Sequence, residues 1–465
     1  MKQLAFLVIV LIGGALGAIV HPFYGILPYY MLSIVRPQSL WDYALPETTR
    51  WSLIAAVIAI TGAIIHTHKI IGGLRWNPVA SLLALFSALV VLGAITAHDT
   101  AVSGPLGQDY IKLIVMALLA TVVIQRLAHV RILMLVIIAS SAYVAWEYNA
   151  RYLLDNRLDI FFRGHGGLDN NDTGVALAIG FVLSYWLWQA RRSWPARAAV
   201  ALGAGVMVHA LMLSYSRSGM VAALAGVGWI ALWHRPRRQL LLLLPLLLGG
   251  VVYLAGPEVR SEFLSIKEYE QDATAQKRID SWQRGWETAW DHPLTGAGLR
   301  NSNLMSEAYG AELNGRSIHN VYLQIAADSG IPALMVYLAL IVVAVFGLWS
   351  FRLRLSRGER PVTRGDRGDR GEPDPAARDQ PDRQELAGLC LALEAGLITF
   401  AAGGVFLSLE FFELPYLLMV MAGVLPVVGR ARVEADAKAA LANAIDLERL
   451  NLETPRGDAA LPGAS

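Results

Sequence analysis

Runs of about 20 apolar residues recur along most of this chain, and they constrain its fold more than any other feature. A helix needs about that length to cross the hydrocarbon core of a bilayer. The runs predict about twelve such helices, near residues 4–20, 51–69, 77–97, 110–127, 131–149, 173–190, 197–215, 218–233, 240–256, 331–351, 386–408 and 411–429. Only 16% of the residues are charged, against about a quarter in soluble domains. We therefore expect an all-α polytopic integral membrane protein.

The segment 21–35 is also apolar, but it is short and contains Pro22 and Pro28. Its sequence fits a bent or re-entrant segment, and it also fits a further span. Lys2 and the apolar residues after it look like a signal peptide at first. Because many spans follow, we expect an uncleaved first helix.

The Lys and Arg residues of the short connections fall mainly on one side of this arrangement. They are Lys69, Arg75, Arg126, Arg131, Arg191, Arg192, Arg197, Arg235, Arg237 and Arg238. Since basic connections stay on the cytoplasmic side, we expect both termini in the cytoplasm and the long polar loop on the periplasmic face of a bacterial inner membrane. The predicted units are a transmembrane bundle (1–256), a periplasmic loop with short helices (257–330), a transmembrane helix (331–351), a disordered cytoplasmic linker (352–385), a transmembrane hairpin (386–429) and a cytoplasmic tail (430–465) with an amphipathic helix (433–450).

Several kinds of chemistry lack their sequence patterns. The one cysteine, Cys390, excludes a disulfide within the chain. There is no Gly-x-x-x-x-Gly-Lys-Ser/Thr, His-Glu-x-x-His or Gly-x-Ser-x-Gly pattern, which argues against P-loop ATPases, zinc proteases and common serine hydrolases. No Asp-x-Asp pair is present to clamp a metal and a nucleotide sugar. We therefore expect neither a metal nor a cofactor.

Arg217 lies between two apolar runs, in the stretch Ser214–Met220. A charge close to the bilayer is costly and usually lines a cavity or pathway. The alternative is an interfacial arginine whose guanidinium reaches the lipid headgroups. Neighbouring Ser216 and Gly219 leave the backbone accessible, which favours phosphate binding. We take Arg217 as a candidate catalytic residue and Ser216 as a candidate substrate contact.

Arg278 heads a series with Trp282, Trp286 and Trp290, spaced by four residues and therefore predicted to share one helix face. Three tryptophans near a bilayer are typical of an aromatic belt at the interface. Arg278 would be carried towards the membrane surface on the same face, where it could join Arg217 as a second cation for a diphosphate. Trp282 is the member of the series that we name as a candidate substrate contact.

His319 and Asn320 open a helix predicted to end near Gly330, before the next span. An imidazole can accept a proton near neutral pH, as activation of a hydroxyl nucleophile requires. His319 is therefore a candidate catalytic base and Asn320 a candidate substrate contact. Asn171 and Asp172 are further candidate contacts, although a turn and helix cap are the simplest role for the stretch 164–174 that contains them.

In this order and topology, these stretches resemble the O-antigen ligase and polymerase superfamily (Wzy-C type). The family places an arginine two spans ahead of a long outer loop, an Arg…Trp…Pro-Leu-x-Gly-x-Gly stretch within it, and a His-Asn/Ser/Gln pair nine residues ahead of a glycine. The matching positions here are Arg217, Arg278 with Trp282, Pro293–Gly298, His319-Asn320 and Gly330. The family's ligase pattern usually continues with Gly, Thr or Tyr, where this chain has Ile331, Pro332 and Ala333. Stretches 21–27 and 169–172 resemble the O-glycosylation ligases associated with exosortase A systems.

The resemblance implies a GT-C-like membrane glycosyltransferase that moves a glycan from undecaprenyl diphosphate to a hydroxyl of an acceptor glycan, lipid or protein, inverting the anomeric carbon without a metal. Arg217 and Arg278 would hold the diphosphate and stabilise the leaving group. His319 would position or deprotonate the acceptor hydroxyl. A polymerase with the same donor is one alternative. A flippase for lipid-linked glycans is another, although charges along the middle of several spans would suit it better.

Overall fold

The computed structural model describes residues 2–46, 48–72, 77–234, 273–304, 317–357, 381–407 and 412–453. The named elements in these ranges are all helices. In chain order they are α1 (Lys2–Val20), α2 (Pro22–Val35), α3 (Pro37–Leu40), α4 (Trp51–Ile65), α5 (Thr67–Gly72), α6 (Pro78–Ile95), α7 (Thr100–Val123), α8 (Leu127–Asp155), α9 (Asp159–Arg163), α10 (Asn170–Ala190), α11 (Trp194–Leu213), α12 (Arg217–Trp233), α13 (Ala273–Asp291), α14 (Asn301–Leu304), α15 (Val321–Arg357), α16 (Pro381–Gly404) and α17 (Glu413–Glu453).

Nine helices of the described ranges are long and apolar enough to cross a membrane: α1, α6, α7, α8, α10, α11, α15, α16 and α17. The apolar helices α4 and α12 are shorter. This confirms the prediction of an all-helical polytopic membrane protein. The predicted span 240–256 lies outside the described residues, as does most of the predicted linker, 358–380.

Short polar side chains begin several of these helices. The side-chain oxygens of Asn77, Asp99, Asp169 and Ser216 accept hydrogen bonds from backbone N–H groups in the first turns of α6, α7, α10 and α12. Those N–H groups have no partner within the helix, and a cap stabilises the helix start by about 1 kcal/mol. The capping residues therefore help to fix where each apolar helix begins.

Helix α2 folds back along α1, so the segment that the sequence left undecided is a returning helix. The Gly14 backbone lies directly against the ring of Pro28, and a Cβ on Gly17 would come within 2.7 Å of the Tyr24 Cβ. Pro28 is tolerated inside α2. Because the two glycines have no side chains, the two helices can approach closely at these positions.

The start of α1 lies at the end of the bundle where α10 and α12 begin, which we call the site end. Gln3 Nε2 donates to the Tyr43 hydroxyl, 2.9 Å away, beyond the last residue of α2. Arg36, which follows α2, donates to the Gly166 carbonyl near the start of α10 and pairs with Glu413 at 3.1 Å. The expectation that both termini lie on one side is therefore wrong, because the chain returns to the site end along α2 before α4 begins.

Helix α17 starts at the site end with Glu413 and continues without interruption to Glu453. Its predicted spanning part and the predicted tail helix, 433–450, thus form one continuous helix.

Candidate active site

Arg217 is the first residue of α12, and its position is set by a tight connection from α11. Tyr215 adopts a left-handed backbone conformation with φ 53°, which turns the chain between the two helices. Ser216 Oγ then accepts the Gly219 N–H at 2.9 Å and caps α12. The Arg217 side chain is half-buried. The sequence Tyr-Ser-Arg-Ser-Gly therefore holds one guanidinium at the site end.

The start of α10 is hydrogen-bonded to this connection. Asn170 Nδ2 donates to the Ser214 carbonyl at 3.0 Å, and Ser216 Oγ donates to the Asn171 carbonyl at 3.4 Å. Ser218 Oγ lies 3.5 Å from Asn171 Oδ1. Two predicted contact residues, Asn171 and Ser216, are thus brought together from positions 45 residues apart.

The predicted cap in this stretch is confirmed, and it is made by Asp169. Its Oδ1 accepts the N–H of Asp172 at 2.7 Å. Asp172 is buried in the first turn of α10. A substrate contact by Asn171 or Asp172 stays a prediction.

The start of α15 carries His319 and Asn320. His319 has a left-handed backbone with φ 50°, uncommon for a residue with a side chain. Asn320 is buried, and its Oδ1 accepts the N–H groups of Tyr322 at 3.0 Å and Leu323 at 3.1 Å. Its oxygen therefore caps α15, whereas the half-buried His319 stands just before the helix.

Helix α13 confirms that Arg278 and the three tryptophans lie on one helix, and it packs on the segment before α15. A Cβ on Gly285 would lie 2.8 Å from the Ile318 side chain. Arg278 and Trp282 are half-buried, but Trp286 and Trp290 are exposed. Four residues advance 400° around a helix, so each step drifts about 40° from one face. The spacing predicted that the four side chains share one helix face, but their exposure differs along the helix.

The end of α16 contacts the segments that carry the candidate residues. A Cβ on Gly403 would meet Val175 of α10 at 2.7 Å and Ala222 of α12 at 3.3 Å. Tyr322, in the first turn of α15, donates its hydroxyl to the Ala401 carbonyl at 2.8 Å.

Just beyond α16, the rings of Phe406 and Trp282 have centroids 6.1 Å apart. Among the described residues, the buried indole N–H of Trp282 has no hydrogen-bond partner. The segments bearing Arg217, His319 and Trp282 are therefore arranged around the end of one helix.

The Pro-Leu-Thr-Gly-Ala-Gly stretch is locked into a break in α15. The break is at Gly330, with φ 88° and ψ 165°. Ile331 N–H donates to the Pro293 carbonyl at 2.9 Å, and Ala297 N–H donates to the Ala327 carbonyl at 2.8 Å. These bonds use backbone groups that the break releases from the helix.

The glycines of this stretch are needed for close backbone contact. Gly296 has φ 69°, and a Cβ there would overlap the backbone of Asp328. Gly298 has φ 105°, and a Cβ there would overlap Ala97. Both glycines thus combine a left-handed conformation with contacts that leave no room for a side chain.

Asp328 anchors this lock, and the sequence analysis did not single it out. Its buried carboxylate accepts the Arg300 N–H at 2.9 Å, the Ser302 hydroxyl at 2.6 Å and Gln324 Nε2 at 2.8 Å. The available signal was an acidic residue two positions before Gly330, ahead of an apolar span. A buried charge is retained where several donors satisfy it.

The same stretch is fastened to the α6–α7 connection. Asn301 Oδ1 accepts the Asp99 N–H at 2.6 Å, and its Nδ2 donates to Ser103 Oγ at 2.7 Å. The His98 N–H donates to the Ala297 carbonyl at 2.9 Å. The chain from α13 to α14 is thus bonded on two sides, which fixes α13 over the start of α15.

The loop 164–168 before α10 carries a buried histidine at the site end. Burial lowers the pKa of His165 to about 4. One ring nitrogen, Nε2, lies 2.9 Å from the Ile34 carbonyl, and Nδ1 lies 3.1 Å from the Tyr148 hydroxyl. His165 is therefore neutral near pH 7 and joins the loop to α2 and α8. Within the described ranges, no three His, Cys, Asp or Glu side chains are grouped to hold a metal ion.

Two family models match different parts of the chain. Residues 202–338, which include Arg217, Arg278 and His319, match a model described as O-antigen ligase. This match, over residues 202–338, supports the resemblance to the O-antigen ligase and polymerase superfamily. Residues 1–151 match a family of unknown function.

A curated relative is the exopolysaccharide production protein ExoQ of Rhizobium meliloti (strain 1021). The two sequences are 26% identical over 161 residues, which is 31% of this chain. The match spans 37% of the relative's length. It supports the superfamily assignment.

Proposed function

We propose that this protein is a membrane glycosyltransferase that moves a glycan from an undecaprenyl-diphosphate carrier to an acceptor hydroxyl at the periplasmic face. The O-antigen ligase domain makes a glycan-transferring enzyme the most direct interpretation. The observation that supports this site best is the arrangement of three segments around the end of α16, through Ala222, Tyr322 and Trp282. Such an enzyme needs cations for the diphosphate and a base for the acceptor within one site.

In this proposal, the guanidiniums of Arg217 and Arg278 bind the diphosphate. Arginine suits phosphate oxygens because its planar group donates two parallel hydrogen bonds. As the bond between the anomeric carbon and the diphosphate oxygen breaks, negative charge grows on that oxygen and both cations stabilise it. The mechanism needs no metal to neutralise the leaving group.

His319 accepts the proton of the acceptor hydroxyl as the oxygen bonds to the anomeric carbon. Attack from the side opposite the diphosphate inverts that carbon. His319, with its left-handed backbone, stands between the capping Asn320 and Ile318, which packs against Gly285 of α13. Trp282 offers its buried indole N–H to a substrate oxygen.

The test is glycan transfer by purified protein in lipid nanodiscs, with lipid-linked glycan and acceptor from the source strain. We expect Arg217→Ala and Arg278→Ala each to lower the rate by about 100- to 1,000-fold. His319→Ala should lower it by about 100- to 10,000-fold. Matched controls are Arg284→Ala on α13 and His68→Ala at the opposite end, which should retain the wild-type rate. Full activity of the His319 variant would remove the base role, and full activity of both arginine variants would overturn the proposal.

A polymerase is the second candidate, favoured by the similarity to a protein named for exopolysaccharide production. It would use the same donor, with a second lipid-linked glycan as acceptor. Glycans from a deletion strain separate the two functions. Loss of a polymerase leaves single repeat units on the carrier, and loss of a ligase leaves long unattached chains.

A further inference from the structure

A polar cavity of about 320 Å³ opens at the site end. Its wall includes Gln38, Ser39, Asp42, Arg151, Asp159 and Arg163. This volume is at the lower end of the range for small-molecule sites, about 300–1,000 Å³. Gln38, Ser39, Asp42 and Arg151 lie within residues 1–151, the part of the chain that matches the family of unknown function.

The deep part of the cavity is rigid. Arg151 pairs with Asp159 at 3.0 Å, and their side chains are only 12% and 14% exposed. The Gly166 N–H donates to Ser39 Oγ at 3.0 Å, which fastens one wall to α3. Because these groups hold one another, the polar atoms of the cavity are ordered before any ligand arrives.

The mouth carries a looser pair, Arg163 and Asp42, at 3.4 Å. Their side chains are 70% and 28% exposed. The wall therefore presents guanidinium donors beside carboxylate acceptors at both depths. The two guanidiniums and the two carboxylates balance in charge, so the wall does not select an anion, whereas sugar hydroxyls both donate and accept and would satisfy both kinds of group.

The cavity is physically joined to the candidate active site. Helix α9 supplies Asp159 and Arg163 to the wall, and its Phe161 packs on Tyr215 with ring centroids 5.1 Å apart. Tyr215 lies two residues before Arg217. A saccharide in the cavity would thus lie beside the segment that places Arg217.

We propose that this cavity is a saccharide subsite, in which Asp42, Arg151, Asp159 and Arg163 bind hydroxyl groups of a glycan substrate. This inference rests on the proposed function and gives the N-terminal region a role in it. The saccharide could belong to the donor or to the acceptor, since both present the same hydroxyl chemistry.

The exposed pair Arg163 and Asp42 at the mouth, which we call the rim pair, gives the most informative variants, because an exposed ion pair contributes little to stability. Asp42→Asn and Arg163→Gln should raise KM for the saccharide-bearing substrate about tenfold, with kcat within about twofold, because charged hydrogen bonds to substrate are lost. Arg50 and Asp109 form a matched exposed pair at the same end, at 3.3 Å. Arg50→Gln and Asp109→Asn should leave both constants unchanged.

Direct binding separates this proposal from the proposed function. The probes are oligosaccharides released by mild acid from the lipid-linked glycans of the source strain and, separately, saccharides released from the acceptor. Saturation-transfer NMR in nanodiscs should show that one of them binds wild type and the Arg217→Ala variant, and that the rim variants weaken it. The probe that binds identifies donor or acceptor.

If neither probe binds wild type, or the rim variants bind as well as wild type, the subsite is refuted while loss of transfer in Arg217→Ala still supports the enzyme. If the rim variants lose binding but Arg217→Ala retains full transfer, the subsite stands and the role of Arg217 fails.

Discussion

Asp328→Ala should loosen the lock between the Pro-Leu-Thr-Gly-Ala-Gly stretch and α15. The substitution removes the acceptor for the Arg300 N–H, the Ser302 hydroxyl and Gln324 Nε2. The Gln324 amide keeps a second acceptor, Ser302 Oγ, at 3.1 Å. The loss therefore falls mainly on the other two donors.

A buried donor left without an acceptor costs about 1–3 kcal/mol, so Asp328→Ala should lower the free energy of unfolding by about 2–6 kcal/mol. Asp328→Asn is the matched control. Its remaining oxygen can accept the two N–H donors, and its amide can donate to Ser302 Oγ, whose hydroxyl can rotate. We expect this variant to lose about 1 kcal/mol.

The assay is SDS-induced unfolding of protein in mixed micelles, followed by tryptophan fluorescence and by size-exclusion chromatography. Because the lock positions α13, Asp328→Ala should also lower glycan transfer more than Asp328→Asn does. Equal stability of the two variants, or an Ala variant within about 1 kcal/mol of wild type, would show that the network does not hold this stretch.

Three further predictions concern other parts of the fold. Gly298→Ala should prevent accumulation of folded protein, measured by size-exclusion chromatography, because the new methyl overlaps Ala97 and φ is 105°. Glu394→Gln breaks the buried bidentate pair with Arg352, in which both bonds are 2.8 Å long. It should lower the free energy of unfolding in SDS by about 3–5 kcal/mol. The control Asp382→Asn, which breaks an exposed pair, should lower it by less than about 1 kcal/mol. The pKa of His165 is about 4 in the folded protein and about 6.5 in the unfolded chain. Acidification from pH 6.5 towards 4 should therefore lower the free energy of unfolding by up to about 1.4 kcal/mol per pH unit, with no further loss below pH 4. In a series of thermal midpoints measured against pH, the His165→Gln variant should show a smaller change.

Apolar run length predicted most of the described spans, because bilayer thickness sets a length that is visible in one dimension. It left segment 21–35 undecided, because α2 has only 14 residues and contains prolines. Its packing depends on Gly14 and Gly17 in the preceding helix. That complementarity between two helices is not a property of either sequence alone.

The candidate site was only partly predictable for the same reason. Arg217 and His319 stood out because polar residues beside long spans are rare. The bond between Asn171 and Ser216 joins α10 to the cap of α12, and no spacing rule connects the two residues. Asp328 was missed because its donors come from Arg300, from Ser302 of α14 and from Gln324 of α15.

The return of α2 along α1 decides how this protein can be tagged. A reporter attached ahead of α1 emerges at the site end, while one attached after α17 leaves at the opposite end. In the proposed orientation, with the site end at the periplasmic face, a fluorescent domain at the first position would have to be exported, whereas one at the second position would stay in the cytoplasm. Paired reporters at these two places would give opposite compartment readings.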